Sequence, residues 1–280
     1  MEGIDYTNFD AVVSKMRTFF RDVKGYKEVH TQNKLSILAA CEDPQTIATY
    51  NYKGEVWPLP QTGQMWLEHY LLEHPEEDGF FCVSTSYRNE PNPVEGRHDK
   101  IFPMFEFELK GGIEELRKVE MELLDYLGFN QEEETMDYPR DNYDNVATKY
   151  DVDELDHIHE EYMERDYGKA FFLEYFPLKT SPFWNMRLMD DKVHAHKIDV
   201  IIHGIETIGS AERSTDPLQM KEMFYTISDG GYANTLFAQF GKERVEKELE
   251  DFLKKDFFQR SGGGIGMTRM IRAMKLSNLI

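Results

Sequence analysis

Two segments of alternating residues, at 79–88 and 101–110, constrain the fold of this chain more than any other feature. A period of two is typical of β-strands, whose successive side chains point to opposite faces of a sheet. Between the segments, residues 91–100 include two prolines, a glycine and several charges, which is typical of a loop. The two segments are therefore predicted to pair as an antiparallel hairpin.

One face of this predicted hairpin carries a dense set of charges. Period two, continued to residue 90, places Arg88 and Glu90 on one face of the first strand. It places Phe102, Glu106 and Glu108 on one face of the second segment. An aromatic ring beside charged groups suits a nucleotide, because the ring stacks on the base and arginines bind phosphates. A solvated edge hairpin with cross-strand ion pairs is the alternative interpretation.

Helices and strands follow one another without regular alternation along the chain. Apolar residues at helical spacing predict helices at 8–25, 61–72, 111–128, 216–228, 242–255 and 265–276. Further extended segments are predicted at 26–32, 47–60, 169–177 and 197–209, with a hairpin turn at Lys53-Gly54. Because a regular β-α-β-α order is absent, the chain is predicted to be α+β, with an antiparallel β-sheet flanked by helices.

Composition limits the classes of protein to consider. The 280 residues, 40% of them hydrophobic, suit a single domain over residues 1–280. The net charge of −20 disfavours nucleic acid as a partner, because such binding depends on neutralising phosphates. Acidic residues concentrate at about 131–168, which is predicted to be a solvated helical insertion. Cys41 and Cys82 are too few for a disulfide framework, and no apolar run could cross a membrane, so a cytoplasmic location is expected.

A glycine-rich stretch near the C-terminal end indicates close approach of the backbone to a ligand. The residues SGGGIGMTRM span 261–270 and place Arg269 in the first turns of the helix that follows. A dinucleotide-binding fold is not expected, because it needs a βαβ unit of about thirty residues and only eleven residues follow Arg269.

Two carboxylates form a third candidate site. In KIDVIIHGIETIGSAERS, Asp199 and Glu206 lie near each other beside Gly204 and Gly209. Two carboxylates near phosphates typically bind Mg²⁺, a hard cation that prefers oxygen ligands. A buried strand capped by a charged turn is the alternative interpretation.

Taken in order, these segments resemble the catalytic core of a class II aminoacyl-tRNA synthetase of the aspartyl/asparaginyl branch, which includes the AMP-forming asparagine synthetase. YRNE…GRHDKIFPMFEFE resembles motif 2 of that family, and GGGIGMTR resembles motif 3. LPQTGQMWLE resembles the Gln-Ser-Pro-Gln helix start of the aspartyl branch, and KAFFLEYFPLKTSPFWNM resembles the strand and turn before the last sheet strands of asparaginyl enzymes. The similarity covers the chain from about Phe9 to Ile280.

The resemblance implies a role in ATP binding for each matching residue. Arg88 would bind the α-phosphate and stabilise the charge that builds there, and Arg269 would cover the adenine and reach the γ-phosphate, so both are candidate catalytic residues. Glu90 would accept from the adenine amino group, and Phe102 would stack on its ring. The other candidate ATP-binding residues lie in the loop or in the glycine-rich stretch: Arg97, His98, Gly264 and Gly266.

The resemblance also implies residues for the metal and the amino acid. Asp199 and Glu206 would hold Mg²⁺, while Gln64 and Glu106 match positions that hold the substrate ammonium group. Arg213 lies seven residues after Glu206, where this branch places an arginine that grips a substrate carboxylate. That arginine favours aspartate or a close analogue as the substrate.

The implied reaction is attack of an amino-acid carboxylate on the α-phosphorus of ATP, which gives an aminoacyl adenylate and pyrophosphate. Transfer to a small acceptor such as ammonia, as in asparagine synthetase, is the preferred hypothesis. A synthetase core or paralogue that acts on tRNA or protein is one alternative. A non-catalytic paralogue that binds an amino acid and regulates a partner is another.

The chain departs from the family pattern near its start. Motif 1 of the family ends in proline after an extended strand, whereas GYKEVHTQ has Gln32 at that point, which weakens the contact of the expected homodimer. Because sequence like motif 1 begins already near Gly25, the domain that reads the anticodon is expected to be absent. Together with the net charge, this predicts that tRNA is a poor partner. The IGSAER segment also replaces the family's Gly-Gly-Ser before the arginine.

Overall fold

The computed structural model describes residues 4–31, 34–37, 44–91, 99–130, 138–180 and 183–280. The predictions for Gln32, Cys41, Arg97 and His98 lie outside these ranges. Within them, the helices are α1 Tyr6–Thr18, α2 Gln64–Glu73, α3 Ile113–Leu127, α4 Tyr143–Lys149, α5 His157–Tyr167, α6 Pro217–Thr226, α7 Gly231–Phe240, α8 Lys242–Leu253 and α9 Met267–Leu276. The strands are β1 Lys27–Glu28, β2 Thr49–Tyr52, β3 Glu55–Pro58, β4 Gly79–Tyr87, β5 Ile101–Lys110, β6 Arg140–Asn142, β7 Ala170–Pro177, β8 His194–Ile202, β9 Ile205–Glu212 and β10 Arg260–Gly266.

An eight-stranded sheet in the order β1-β4-β5-β10-β9-β8-β7-β6 forms the centre of the fold. Its six inner strands are antiparallel, and β4 and β5 pair as the predicted hairpin. The α+β class is therefore confirmed. The sheet is mixed, because the short edge strands β1 and β6 run parallel to their neighbours.

Local sequence signals set the ends of several elements. Asp5 caps α1 by accepting from the backbone N–H of Thr7 at 3.0 Å, and Gly128 ends α3 with a φ of 104°, a conformation that glycine adopts at little cost. The hairpin of β2 and β3 turns at Lys53-Gly54 as predicted, but it forms a separate two-stranded sheet. The helix predicted at 61–72 begins only at Gln64.

One face of the sheet is apolar and packs against α1, α3 and α9. Its core contains Phe20, Phe105, Leu123 and Met270, all completely buried, and the rings of Phe20 and Phe105 lie 5.1 Å apart. Burial of this face stabilises the sheet, and it leaves the opposite face of the central strands for polar residues. In the described part of the chain, no helix has the length and apolar character needed to span a membrane.

The acidic segment contributes more to the fold than the predicted solvated insertion. Where it is described, it forms α4 and α5 and adds β6 to the edge of the sheet. Tyr143, Val146 and Met163 are buried against Phe171 and Ile201 in a small apolar core. The described part agrees with a helical insertion whose charges face solvent, and apolar residues at helical spacing among those charges bury one side of it.

Candidate active site

Cross-strand register places small residues between two groups of charged side chains. One row across β5, β10, β9 and β8 reads Glu106, Gly264, Gly209 and Asp199. The next row reads Glu108, Gly262, Ala211 and Lys197. Because paired residues point to the same face, the polar face has a floor almost without side chains. The charged groups on either side are three strand spacings apart, or about 14 Å between backbones.

The glycine floor has a steric reason at two positions. A Cβ at Gly262 would collide with the Glu108 carboxylate and with the carbonyl of Phe107, and a Cβ at Gly264 would lie 2.6 Å from the Met104 methyl group. Backbone and buried carboxylate cannot move away from Gly262, whereas the end of the Met104 side chain can. Residues larger than glycine at these two positions would therefore fill the space between the charged groups.

A cleft opens on this face. Seven residues predicted to bind ATP or metal line it: Arg88, Glu90, Phe102, Glu206, Gly264, Gly266 and Arg269. The structure thus brings together residues from β5, β9, β10, α9 and the loop after β4. The cleft also contains five residues to which the sequence gave no role in binding: Asp99, Met104, Thr207, Gly209 and Thr268.

Two arginines stand at this cleft in different environments. The guanidinium carbon of Arg88 lies 5.5 Å from the centroid of the Phe102 ring, a cation–π contact. The buried Nε of Arg88 has no hydrogen-bond partner among the described residues. Arg269 donates from Nη1 to the Glu206 carbonyl at 2.6 Å, and Nη1 lies 3.7 Å from the Glu206 carboxylate. Arg269 is thereby held against β9.

The two predicted metal ligands lie on the adjacent strands β8 and β9. Glu206 lines the cleft, whereas Asp199 does not but pairs with Gly209, which does. Asp199 is 7% exposed, and burial raises its pKa to about 7, with Lys197 opposing this and the charge of Glu206 adding to it. Asp199 Oδ1 has no partner among the described residues. Those residues hold no group of three or more potential ligand side chains. Because Mg²⁺ commonly takes one or two carboxylates and completes its shell with phosphates and water, the pair fits this ion.

The predicted ammonium-binding residues meet at the start of α2. Glu106 is fully buried and accepts from the Gly63 backbone N–H at 2.9 and 3.0 Å, and also from Thr62 and Ser84. Burial raises the pKa of Glu106, and these hydrogen bonds oppose the increase. Gln64 follows Gly63 and donates from its side chain to Glu108.

Arg213 belongs to a buried group of four charged residues that does not line the cleft. Its Nε and Nη2 donate to Glu108 at 3.3 Å, and its Nε lies 3.7 Å from Glu68. Glu68 in turn accepts from Arg260 at 2.7 and 3.0 Å, and each of the four side chains is at most 1% exposed. Burial raises the pKa of Glu108 to about 7, Arg213 opposes this, and Glu68 adds to it.

The three predicted amino-acid-binding residues therefore come together, but they are not among the residues that line the open cleft. Gln64 and Arg213 both bind Glu108, and Glu106 lies two residues before Glu108 on β5. Sequence reasoning missed Glu68 and Arg260. The sequence signal that could have identified them is a charged residue at an otherwise apolar position. Glu68 has this position in a helix, and Arg260 has it at the start of the glycine-rich strand.

Comparison with known proteins shows which family model and which solved folds this chain resembles. Residues 7–280 match the family model of class II tRNA synthetases (D, K and N), whereas no curated protein sequence matches the chain significantly. The fold resembles asparaginyl-tRNA synthetase from Pyrococcus horikoshii complexed with asparaginyl-adenylate, with a TM-score of 0.78 at 19% identity, over 96% of this chain and 64% of that one.

Two further structures show the same likeness. Asparaginyl-tRNA synthetase of Entamoeba histolytica in complex with asparaginyl-adenylate has a TM-score of 0.74 at 16% identity, over 96% of this chain and 63% of that one. Aspartyl tRNA synthetase of the same organism has a TM-score of 0.68 at 18% identity, over 96% and 54%. This chain spans less than two thirds of the length of each of the three. At these identities the likeness shows the fold.

Proposed function

The chain belongs to the class II tRNA synthetases (D, K and N), and from that membership we propose that it is an ATP-dependent ligase that activates an amino acid as its adenylate. The observation that carries the proposal is the single cleft that contains Arg88, Phe102, Glu206 and Arg269 above a glycine floor. Its residue types suit a base, a chain of phosphates and a cation. The complexes of two structurally similar proteins with asparaginyl-adenylate support the same chemistry.

In the proposed complex, the adenine lies against Phe102, and Glu90 accepts a hydrogen bond from its amino group. Arg269 covers the other side of the base and reaches the terminal phosphate. Gly264 and Gly266 allow the nucleotide to approach the backbone of β10. Arg97 and His98, which lie outside the described residues, would contact the β- and γ-phosphates from the loop after Glu90.

The proposed step is an in-line displacement. A carboxylate oxygen of the amino acid forms a bond to the α-phosphorus, and the bond between this phosphorus and the oxygen that bridges to the β-phosphate breaks. The bonding electron pair leaves with pyrophosphate, and no proton transfer is needed because the nucleophile is already ionised. Arg88 stabilises the charge on the α-phosphate oxygens, so the protein contributes positioning and electrostatic stabilisation.

Asp199 and Glu206 are the residues that would hold Mg²⁺. When bound, the cation would neutralise phosphate charge and orient the leaving group. Asp199 would contribute Oδ1, its oxygen without a partner among the described residues. Glu206, whose side chain is 39% exposed, would contribute from the wall of the cleft.

The proposed substrate is aspartate or a close analogue. Glu106 and Gln64 would receive the ammonium group, and Arg213 the carboxylate or amide at the other end. Because Glu108 already binds Arg213, the substrate must compete with or share that contact. Either end of aspartate could be presented for activation.

The acceptor is the least constrained part of the proposal. A small nucleophile such as ammonia is the preferred acceptor, and tRNA or a protein is the alternative. The expectation that tRNA is a poor partner finds no support in the family, whose members are tRNA synthetases. A homodimer is likewise proposed, and light scattering on the purified protein tests it.

Amino-acid-dependent exchange of radiolabelled pyrophosphate into ATP tests the proposed function. Exchange should be stimulated by aspartate or asparagine and not by lysine. Arg88→Ala should lower the exchange rate by about 100-fold or more, since it removes a charge that acts on the transition state. Arg165→Ala is the matched control, because Arg165 is largely exposed and pairs with Asp166 on α5.

Two outcomes would change the conclusion. Amino-acid binding in calorimetry without exchange would favour a non-catalytic regulatory paralogue. Exchange with lysine alone would exclude aspartate as the substrate. With exchange established, incubation of labelled aspartate with ammonium or with tRNA distinguishes the acceptors by the product formed.

A further inference from the structure

A lysine ammonium group lies directly against one of the proposed metal ligands. Lys197 and Asp199 stand two residues apart on β8 and therefore share a face of the sheet. Nζ of Lys197 lies 2.6 Å from Oδ2 of Asp199, and 3.8 Å from the centroid of the Phe176 ring on β7. With a side chain only 16% exposed, Lys197 is held by an ion pair on one side and an aromatic face on the other.

This contact makes the two oxygens of Asp199 unequal. Oδ2 accepts from Lys197, whereas Oδ1 is buried and has no hydrogen-bond partner among the described residues. A buried carboxylate oxygen without a partner is costly, which points to a ligand that completes it. Asp199 can therefore offer a cation one oxygen while Lys197 occupies the other.

The surrounding charges nearly balance. Glu160 of α5 accepts from the backbone N–H of Glu206 at 3.0 Å and adds a third negative charge to those of Asp199 and Glu206. Lys197 and Arg269 supply two positive charges, and the latter lies 3.7 Å from the Glu206 carboxylate. Three carboxylates and two fixed cations attract a divalent ion weakly. The phosphates of a nucleotide would add the negative charge that the site lacks.

We propose that Lys197 is a positioning residue that keeps the Asp199–Glu206 pair from binding a divalent cation tightly until a nucleotide is present. Lys197 restricts Asp199 to coordination through Oδ1 and cancels part of the negative charge. The cation then enters with the phosphates of ATP, in the orientation set by the single free oxygen. This inference rests on the proposed function of the cleft.

Binding of Mn²⁺ to the nucleotide-free protein, followed by electron paramagnetic resonance of the free ion, tests the proposal without any turnover. Lys197→Met keeps the length of the side chain and removes its charge. This variant should bind Mn²⁺ at least about tenfold more tightly than the wild type. At an effective dielectric constant of about 20, the repulsion between a unit positive charge and a divalent cation a few ångströms away is larger than a tenfold change in affinity requires. Lys197→Arg should bind as weakly as the wild type.

Two control variants separate the local effect from a change in net charge. Lys118→Met removes a lysine that is 74% exposed on α3, on the other side of the sheet, and should leave Mn²⁺ binding within about twofold. The double variant with Lys197→Met and Asp199→Asn should lose the gain, since Lys197 acts through Asp199. Should Lys197→Met fail to fold, Lys197→Gln provides the same charge change with a hydrogen-bond donor.

An unchanged Mn²⁺ affinity in folded Lys197→Met or Lys197→Gln would overturn the proposal and leave Lys197 with a structural role only. The same conclusion follows if Lys118→Met produces an equal gain. Pyrophosphate exchange by the wild type is measured separately. Absence of pyrophosphate exchange in the wild type contradicts the proposed function. Exchange in the wild type together with an unchanged Mn²⁺ affinity of Lys197→Met contradicts only the role of Lys197.

Discussion

Glu120 provides a quantitative test of the buried electrostatics. It lies on α3 and is completely buried between the helix and the sheet. Burial raises its pKa from the ordinary value of 4.5 to about 8, and the negative charges of Glu174 and Asp199 act in the same direction. In the folded protein at pH 7 this side chain is therefore mainly protonated.

The sign of the effect follows from proton binding. Below pH 4.5 the group is protonated in both states and costs nothing. As the pH rises towards 8, the unfolded chain ionises while the folded protein keeps its proton, so the free energy of unfolding falls by about 1.4 kcal/mol per pH unit. The loss amounts to about 3 kcal/mol at pH 7 and about 5 kcal/mol above pH 8.

Glu120→Gln removes this dependence, because glutamine is neutral in both states. The amide introduces a buried donor that costs about 1–3 kcal/mol at every pH. The diagnostic quantity is therefore the change with pH in the stability difference between the two proteins. Urea unfolding at pH 5, 6, 7 and 8 should show the stability of Glu120→Gln rising relative to the wild type by about 3–4 kcal/mol across that range. The exposed Glu243 on α8 supplies the control Glu243→Gln, which should run parallel to the wild type. Parallel curves for Glu120→Gln as well would refute the argument.

Four further substitutions test the site itself. Glu68→Gln leaves Arg260 and Arg213 with one buried carboxylate between them and should lower the free energy of unfolding by about 3–5 kcal/mol in urea; a loss below 1 kcal/mol would show that the group of four is not structurally important. Gly262→Ala should prevent stable folding, because the added Cβ would collide with backbone and with the Glu108 carboxylate. Gly264→Ala should fold, because only the Met104 methyl group must move, and it should weaken ATP binding, because the added methyl group takes space in the cleft. Circular dichroism measures folding and titration measures ATP binding; equal behaviour of the two variants would contradict the steric argument. Phe102→Ala should weaken ATP binding by about tenfold in calorimetry through loss of stacking, with little change in binding of the free amino acid; an equal loss for both ligands would place Phe102 elsewhere.

Local order along the chain was enough to predict much of the fold. Alternation identified β4 and β5, and the glycine after α3 marked the end of that helix, because these signals depend only on neighbouring residues. The same local approach underestimated the acidic segment, where buried Tyr143 and Met163 lie among charges. Burial there depends on the β7 and β8 residues that receive these side chains, which lie elsewhere in the chain.

Motif order predicted which residues would face the cleft, and the structure brings Arg88, Phe102, Glu206 and Arg269 together there. Only the tertiary structure decided how the buried charges of Glu68, Glu108, Arg213 and Arg260 are paired. Insertion of β10 between β5 and β9 brings Arg260 to Glu68, 192 positions away in the chain. The same insertion sets the glycine floor beneath the cleft. The physical reason is that backbone periodicity acts between neighbours, whereas a buried charge must find an opposite charge wherever the folded chain places one.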